Sequence, residues 1–249
     1  METLAELVGR GRDREGAAVT AADRAAGYSY REFATNAWKA GNLLRHYGVR
    51  RGATVALVVG PKEPSGEDPG RLGTGVDPLL AFFGGACLGA TVDLAPASPV
   101  EARALVAPDA WLDRYDVAPG CSRLAYGGPP TDPDVAHFER ELWSENPVEP
   151  PDAVAAADPV FRADDRTYTH AELLAAARDV AAAHDLGDGD VVALDAPLTE
   201  VGALAAGVLA GLSVGATVRL GGTDGGDDIV YVVRTGGDNG VLDPSSVTG

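Results

Sequence analysis

Hydrophobic periodicity along the chain spells out one order of elements twice. The first copy covers residues 28–60 and 79–94, the second 168–197 and 202–220, and both close on Gly-Ala-Thr-Val, one further residue and Leu. Each copy opens on a hydroxyl residue with glutamate three positions later, Ser29 with Glu32 and Thr169 with Glu172. This is a capping box: the hydroxyl accepts from the third helical amide and the carboxylate reaches back to the cap amide, so helices are predicted to start near Tyr30 and His170. Small or apolar residues then recur at helical spacing, Phe33, Ala37, Gly41 and Leu44 in one copy and Leu173, Ala177 and Val180 in the other. The β-branched runs at 54–59 and 190–194 predict buried parallel strands. Small-residue helices at 79–88 and 203–212 follow, then second strands at 90–94 and 216–220. A weaker strand is expected at 229–234, and residues 238–249 read as an exposed tail.

Alternation of helix and strand predicts an α/β fold of two similar layered lobes with mostly parallel sheets and right-handed crossovers. Six prolines between 128 and 158 make that segment the expected linker. The predicted division is a first lobe at 1–127, the linker at 128–158 and a second lobe at 159–249, packed as one unit.

Composition narrows the function. Of 249 residues, 37 are acidic and 20 basic, a formal net charge of −17 that repels nucleic-acid backbones and anionic membrane surfaces. Only Lys39 and Lys62 are lysines, and Asp outnumbers Glu, a carboxylate-dense composition expected of a halophilic, haloarchaeal protein that stays hydrated in molar salt. Cys87 and Cys121 form no disulfide framework, and there is neither a basic-then-apolar leader nor an apolar run of the roughly 20 residues a membrane span needs. A cytoplasmic protein is expected. His46, His137, His170 and His184 lack metal-ligand spacing, and Asp224, Asp227 and Asp228 lack that of a calcium loop, so no metal is expected. Trp38, Trp111 and Trp143 are expected to anchor the core or a lobe contact.

The segments YSYREF, GVRRGATVALVVG and CLGATVDLAP resemble the opening motifs of the adenylate-forming enzymes, the AMP-dependent acyl-CoA synthetase and ligase family. The stretch from Thr169 to Leu220 resembles that family's passage from a Thr-His pair, just after its phosphate-binding loop, through the helix of its acyl pocket. The likeness covers roughly residues 1–220 and implies the fold of the family's N-terminal subdomains.

The departures from the family's pattern fall on its chemistry. Where the resemblance requires a Ser/Thr/Gly-rich loop ending in Pro-Lys-Gly, whose backbone amides would hold ATP phosphates, residues 158–168 contain neither glycine nor lysine and carry Asp164 and Asp165. Thr199 and Glu200 stand where the family has an aromatic-histidine pair ahead of a glycine, here Gly202. The family's later ribose-binding aspartate and C-terminal catalytic lysine fall beyond the end of this chain. The expectation is a non-catalytic homologue with a binding or regulatory role, no assigned catalytic residue and no cofactor. Lys62 and Arg71, in the insertion at 61–78, are the candidate anion-binding residues beside Thr199, Glu200 and Gly202, although this insertion lacks Walker or dinucleotide spacing and reads more simply as a solvated loop. The alternative is a weak or split ligase that takes Mg-ATP and acts with a partner chain. A nucleotide or acyl ligand, a protein partner and a homodimer all fit the first expectation.

Overall fold

The computed structural model describes residues 1–21, 27–65, 69–163, 166–221, 229–234 and 241–242. The element order begins α1 (Leu4–Gly11), β1 (Ala17–Ala21), β2 (Tyr28–Ser29), α2 (Tyr30–His46), β3 (Thr54–Leu57), α3 (Asp77–Cys87), β4 (Thr91–Asp93), β5 (Ala104–Pro108), α4 (Asp109–Leu112), β6 (Ser122–Tyr126), β7 (Val135–His137) and α5 (Phe138–Ser144). It continues with β8 (Pro159–Ala163), β9 (Arg166–Thr169), α6 (His170–Ala183) and β10 (Val191–Leu194), then α7 (Val201–Leu204), a π-helical stretch (Ala205–Ala210) and α8 (Gly211–Val214). The last strands are β11 (Thr217–Leu220), β12 (Ile229–Val233) and β13 (Val241–Leu242). Both predicted capping boxes form and set the first residues of α2 and α6.

Among the described residues, thirteen strands make a six-stranded sheet in the order β13-β12-β10-β11-β1-β2 and a seven-stranded sheet in the order β7-β6-β5-β3-β4-β8-β9. Every pairing is parallel except β1 with β2 and β8 with β9, so each sheet ends on one antiparallel edge strand. The strands do not sort by their place along the chain. β1 lies in the sheet of the second half, parallel to β11, and β8 lies in the sheet of the first half, parallel to β4. A division at 127 and 159 therefore cuts both sheets, and the segment read as linker supplies β7 and α5. Proline density misled because His137, Phe138 and Leu142 lie between the prolines and build one strand end and one helix. The expected tail likewise contains β13, which pairs with β12 at Val232 and Val233; residues 243–249 lie outside the described residues.

Period two along the strands explains the layering. In β3 and the residue pair after it, Val55, Leu57 and Val59 face a core shared by both halves, whereas Ala56 and Val58 face a smaller cluster built on Trp111 and Leu105. The shared core holds the apolar faces of α1, α2, α3, α6 and the helical run 201–214. Gly41 and Gly84 let α2 and α3 approach closely, since a Cβ on Gly84 would lie 2.7 Å from the backbone of Ala40 and Gly41. Trp38, Trp111 and Cys87 are buried as expected, but Trp143 is 85% exposed. It sits on the short helix α5, where Lys39 of α2 lies 5.7 Å from its ring without covering it.

Polar anchors cross between the halves. The Tyr30 hydroxyl donates to the Ala216 carbonyl at 2.7 Å, the Thr217 hydroxyl donates to the Ala17 carbonyl at 2.8 Å, and the Leu4 amide donates to His170 Nδ1 at 3.1 Å. His170 is fully buried at the first position of α6, and burial pushes its pKa down to about 4. The folded chain thus keeps this imidazole neutral while the unfolded chain protonates it near pH 6.5. Its contribution to stability is complete above pH 6.5 and is lost as the pH falls toward 4, a change of roughly 3 kcal/mol. Urea unfolding from pH 7 to 4 will show this loss, and His170→Asn, which keeps an acceptor for Leu4 but does not titrate, will flatten it.

Candidate functional site

Parallel sheets present their ligands at the carboxyl ends of their strands. Two side-chain clusters lie there, one on each sheet, joined by the insertion after β3.

On the seven-stranded sheet the chain leaves β3 through Gly60, whose amide donates to the buried Tyr126 hydroxyl at 2.9 Å. That hydroxyl also lies 2.9 Å from the Val58 carbonyl and 3.1 Å from that of Gly60, and burial raises its pKa well above the usual tyrosine value. Two residues on, Lys62 Nζ sits 3.0 Å from Asp77 Oδ2 and 3.7 Å from Glu139 Oε1. Asp77 is the first residue of α3 and its side chain is only 6% exposed. Glu139, in the first turn of α5, accepts from the Gly127 amide at 2.7 Å and places Oε2 3.4 Å from His137 Nε2. Gly127 has φ +90°, and a Cβ there would collide with the Lys62 carbonyl.

One ammonium thus faces two carboxylates. Burial pulls the Lys62 amine down, but Asp77 and Glu139 outweigh it and hold the pKa above the ordinary value. Burial pushes the Asp77 carboxyl up, Glu139 adds to this, and Lys62 offsets only part of it. The sequence reading offered Lys62 to an anion; the fold surrounds it with carboxylates.

On the six-stranded sheet, Arg71 Nη1 donates to the Asp195 carbonyl at 2.7 Å and to Asp195 Oδ1 at 3.1 Å, just past β10. Arg234 Nε reaches Asp195 Oδ2 at 2.8 Å from the end of β12. The insertion does not behave as a solvated loop over its described second half. Leu72 is buried, the Gly70 amide donates to the Val59 carbonyl at 2.7 Å, and the Gly70 carbonyl accepts from the Leu198 amide at 2.9 Å. These bonds bridge the two sheets and set Arg71 beside the segment carrying Thr199, whose Oγ1 would stand 3.4 Å from a Cβ on Gly70. Glu200 occupies the cap position of α7 without capping it through its side chain, and Gly202 is buried in that helix. Of the five residues singled out from the sequence, Arg71 and Thr199 come together and Lys62 belongs to the other cluster. Asp77, Glu139, Tyr126 and Asp195 escaped sequence reading because no spacing links them; Asp77 ahead of Pro78 at a helix start was the one local signal.

Residues 159–169 form a strand pair. β8 and β9 run antiparallel with Ala163 opposite Arg166, so two residues connect them. Those residues, Asp164 and Asp165, lie outside the described residues, as do Asp224, Asp227 and Asp228. Among the described residues no group of three or more His, Cys, Asp or Glu could hold a metal ion, and no helix is long and apolar enough to cross a membrane.

The Lys62 to Gly127 contact yields a stability prediction. Gly127→Ala combines a left-handed φ with a backbone collision and will lower the unfolding free energy by at least about 2 kcal/mol in urea titration. Gly16→Ala, also at positive φ but with open space around its Cβ, will cost less.

No known sequence-family profile matches the chain, and no characterised protein matches it in sequence. Solved structures do match. The N-terminal domain of FACL13 from Mycobacterium tuberculosis superposes with a TM-score of 0.68 at 18% identity, over 90% of this chain and 58% of its own length. The anthranilate CoA ligase AuaEII in complex with anthranoyl-AMP gives 0.68 at 17%, over 88% and 44%. A benzoate CoA ligase from Burkholderia xenovorans LB400 gives 0.66 at 22%, over 88% and 45%. The nonribosomal peptide synthetase FmoA3 gives 0.67 at 20%, over 88% of this chain and 22% of its own. The chain therefore spans between about a fifth and three fifths of the length of these structures. Its α/β fold of two mostly parallel sheets matches that of the N-terminal domains of acyl-CoA synthetases.

Proposed function

We propose that this chain is a non-catalytic counterpart of the AMP-forming acyl-CoA synthetases, with a binding or regulatory role. The observation that carries this reading is the β8–β9 pair. A polyphosphate needs a run of inward-facing backbone amides and positive potential. Here the amides of the corresponding segment lie in a strand ladder that closes in two residues, both aspartates. The cations on that pair are engaged elsewhere, Arg162 with Asp93 and Arg166 with Glu172, as are Lys62 with Asp77 and Glu139 and Arg71 with Asp195. Arg71 lies beside the segment carrying Thr199 and Glu200, past the carboxyl end of β10, and this is where we place recognition of an acyl or nucleotide-like ligand without phosphate transfer. The acidic, lysine-poor composition supports a halophilic setting, and the two unpaired cysteines, Cys87 and Cys121, support a reducing cytoplasmic location, as parts of the same reading.

Thermal unfolding in molar KCl with Mg-ATP, AMP, CoA and a non-hydrolysable acyl-adenylate mimic tests it. A ligand present at about 100 times its dissociation constant adds about 2.7 kcal/mol of stability. AMP or the mimic is expected to stabilise the chain, Mg-ATP to add nothing beyond AMP, and no pyrophosphate to be released with any carboxylate. A shift specific to Mg-ATP that Arg71→Ala abolishes would instead support a weak or split ligase completed by a partner chain.

A further inference from the structure

Residues 70–75 lie across the carboxyl ends of both sheets. On one side they meet the segment that leaves β3: a Cβ on Gly73 would lie 3.1 Å from Pro61 Cβ, and one on Gly75 3.7 Å from the Gly60 carbonyl. On the other side they meet the segments that leave β10 and β11. A Cβ on Gly70 would stand 3.2 Å from Pro197 Cβ, and one on Gly221 2.6 Å from Thr74 Cγ2 and 3.2 Å from the Gly73 carbonyl. Between these contacts Leu72 is buried in the shared core. The crevice outside the carboxyl ends of parallel strands is where such sheets bind ligands, and here residues 70–75 fill it.

The stretch occupies polar groups that a ligand there would meet. The Gly70 amide donates to the Val59 carbonyl at 2.7 Å, and the Gly70 carbonyl accepts from the Leu198 amide at 2.9 Å. One residue thus satisfies an acceptor at the end of one sheet and a donor past the end of the other. Arg71, next along the chain, gives Nη1 to the Asp195 carbonyl at 2.7 Å and to Asp195 Oδ1 at 3.1 Å. Asp195 is also held by Arg234 Nε at 2.8 Å, so it keeps an ion-pair partner when Arg71 leaves.

These anchors are of a kind that releases readily. None of residues 70–75 belongs to a helix or strand, so leaving the crevice breaks no ladder. The ion pair is half exposed, 52% at Arg71 and 42% at Asp195, and pairs so placed contribute little. Arg71 and Gly73 face solvent, and Leu72 is the one large apolar side chain that the stretch gives to the core. Segments with few buried apolar contacts and exposed hydrogen bonds open before the whole fold does. Gly70, at φ +123°, and Gly73, at φ +56°, flank Arg71 and Leu72 with backbone conformations that turn the chain into the crevice and out again.

We infer that residues 70–75 form an autoinhibitory strap, which closes the region beside Thr199 and Glu200 against its own ligand and lifts before that ligand enters. The inference rests on the reading of that region as the place where an acyl or nucleotide-like ligand is recognised. Ligand and strap compete for the same crevice, so the ligand binds only the open fraction of the molecules and its apparent affinity is reduced by that fraction. Lifting also releases the Arg71 guanidinium from Asp195 and frees it to meet an anionic group of the ligand.

Two variants loosen the strap: Leu72→Ser removes its apolar anchor, and Gly73→Ala, at an exposed position, strains its left-handed turn and leaves the core alone. Hydrogen exchange read by mass spectrometry on the full chain, in salt at which circular dichroism shows it folded, is expected to find residues 70–75 opening locally, well before β10 and β11, and about tenfold faster in either variant. Calorimetric titration with AMP and with a non-hydrolysable acyl-adenylate mimic is expected to give dissociation constants lowered by about the same factor, since both quantities follow the open fraction. Saturating mimic is expected to speed exchange of residues 70–75 in the unaltered protein. Exchange of those residues no faster than that of β10 and β11, equal affinity in the unaltered protein and both variants, or protection of the stretch by bound mimic would overturn the strap and leave the ligand reading standing. Local opening with no binding of AMP or mimic to any of the three proteins would instead overturn the ligand reading, and the inference with it.

Discussion

Each half of this chain gives its leading strand to the sheet of the other half, and the rest of the architecture depends on that exchange. β1 lies parallel to β11 and β8 parallel to β4, so neither sheet is complete without the opposite half. The helices that follow, α2 and α6, begin directly after the exchanged hairpins, and their first residues turn inward. Tyr30 bonds to the carbonyl of Ala216, and His170 takes the amide of Leu4. These polar contacts sit inside a hydrophobic core shared by both halves, where an unmade hydrogen bond is expensive. The two lobes are therefore interlocked by backbone ladders as well as packed side by side.

The exchange also decides where chemistry can occur. It aligns the carboxyl ends of β3, β5 and β6 in one sheet and of β10, β11 and β12 in the other, and the insertion after β3 crosses from one row to the other through Gly70. A cation placed on that insertion meets carboxylates from distant parts of the chain: Lys62 meets Asp77 and Glu139, and Arg71 meets Asp195. In a strongly acidic protein such pairing is the expected fate of scarce cations.

Much of the layout was legible in the sequence because its signals are local. Ser29 with Glu32 and Thr169 with Glu172 satisfy helix amides within one turn, so the starts of α2 and α6 could be placed from four residues each. The β-branched runs at β3 and β10 fit buried parallel strands regardless of their neighbours. The segment 128–158 failed for the complementary reason. Its prolines dominate the local reading, while β7 forms only because β6 offers an unpaired edge at Arg123 to Ala125.

Periodicity, caps and composition thus determined the α/β class, the starts of the main helices, the net negative charge and the lack of glycine and lysine over residues 158–168, because each is a property of residues a few positions apart. Only the tertiary structure decided which sheet each strand joins, that His170 is buried neutral, that Lys62 is held by Asp77 and Glu139, and that Trp143 stands exposed beside them. Those outcomes depend on contacts between residues 15 to more than 160 positions apart. Burial and Coulomb interaction act through distance in space, which spacing along a single chain does not encode.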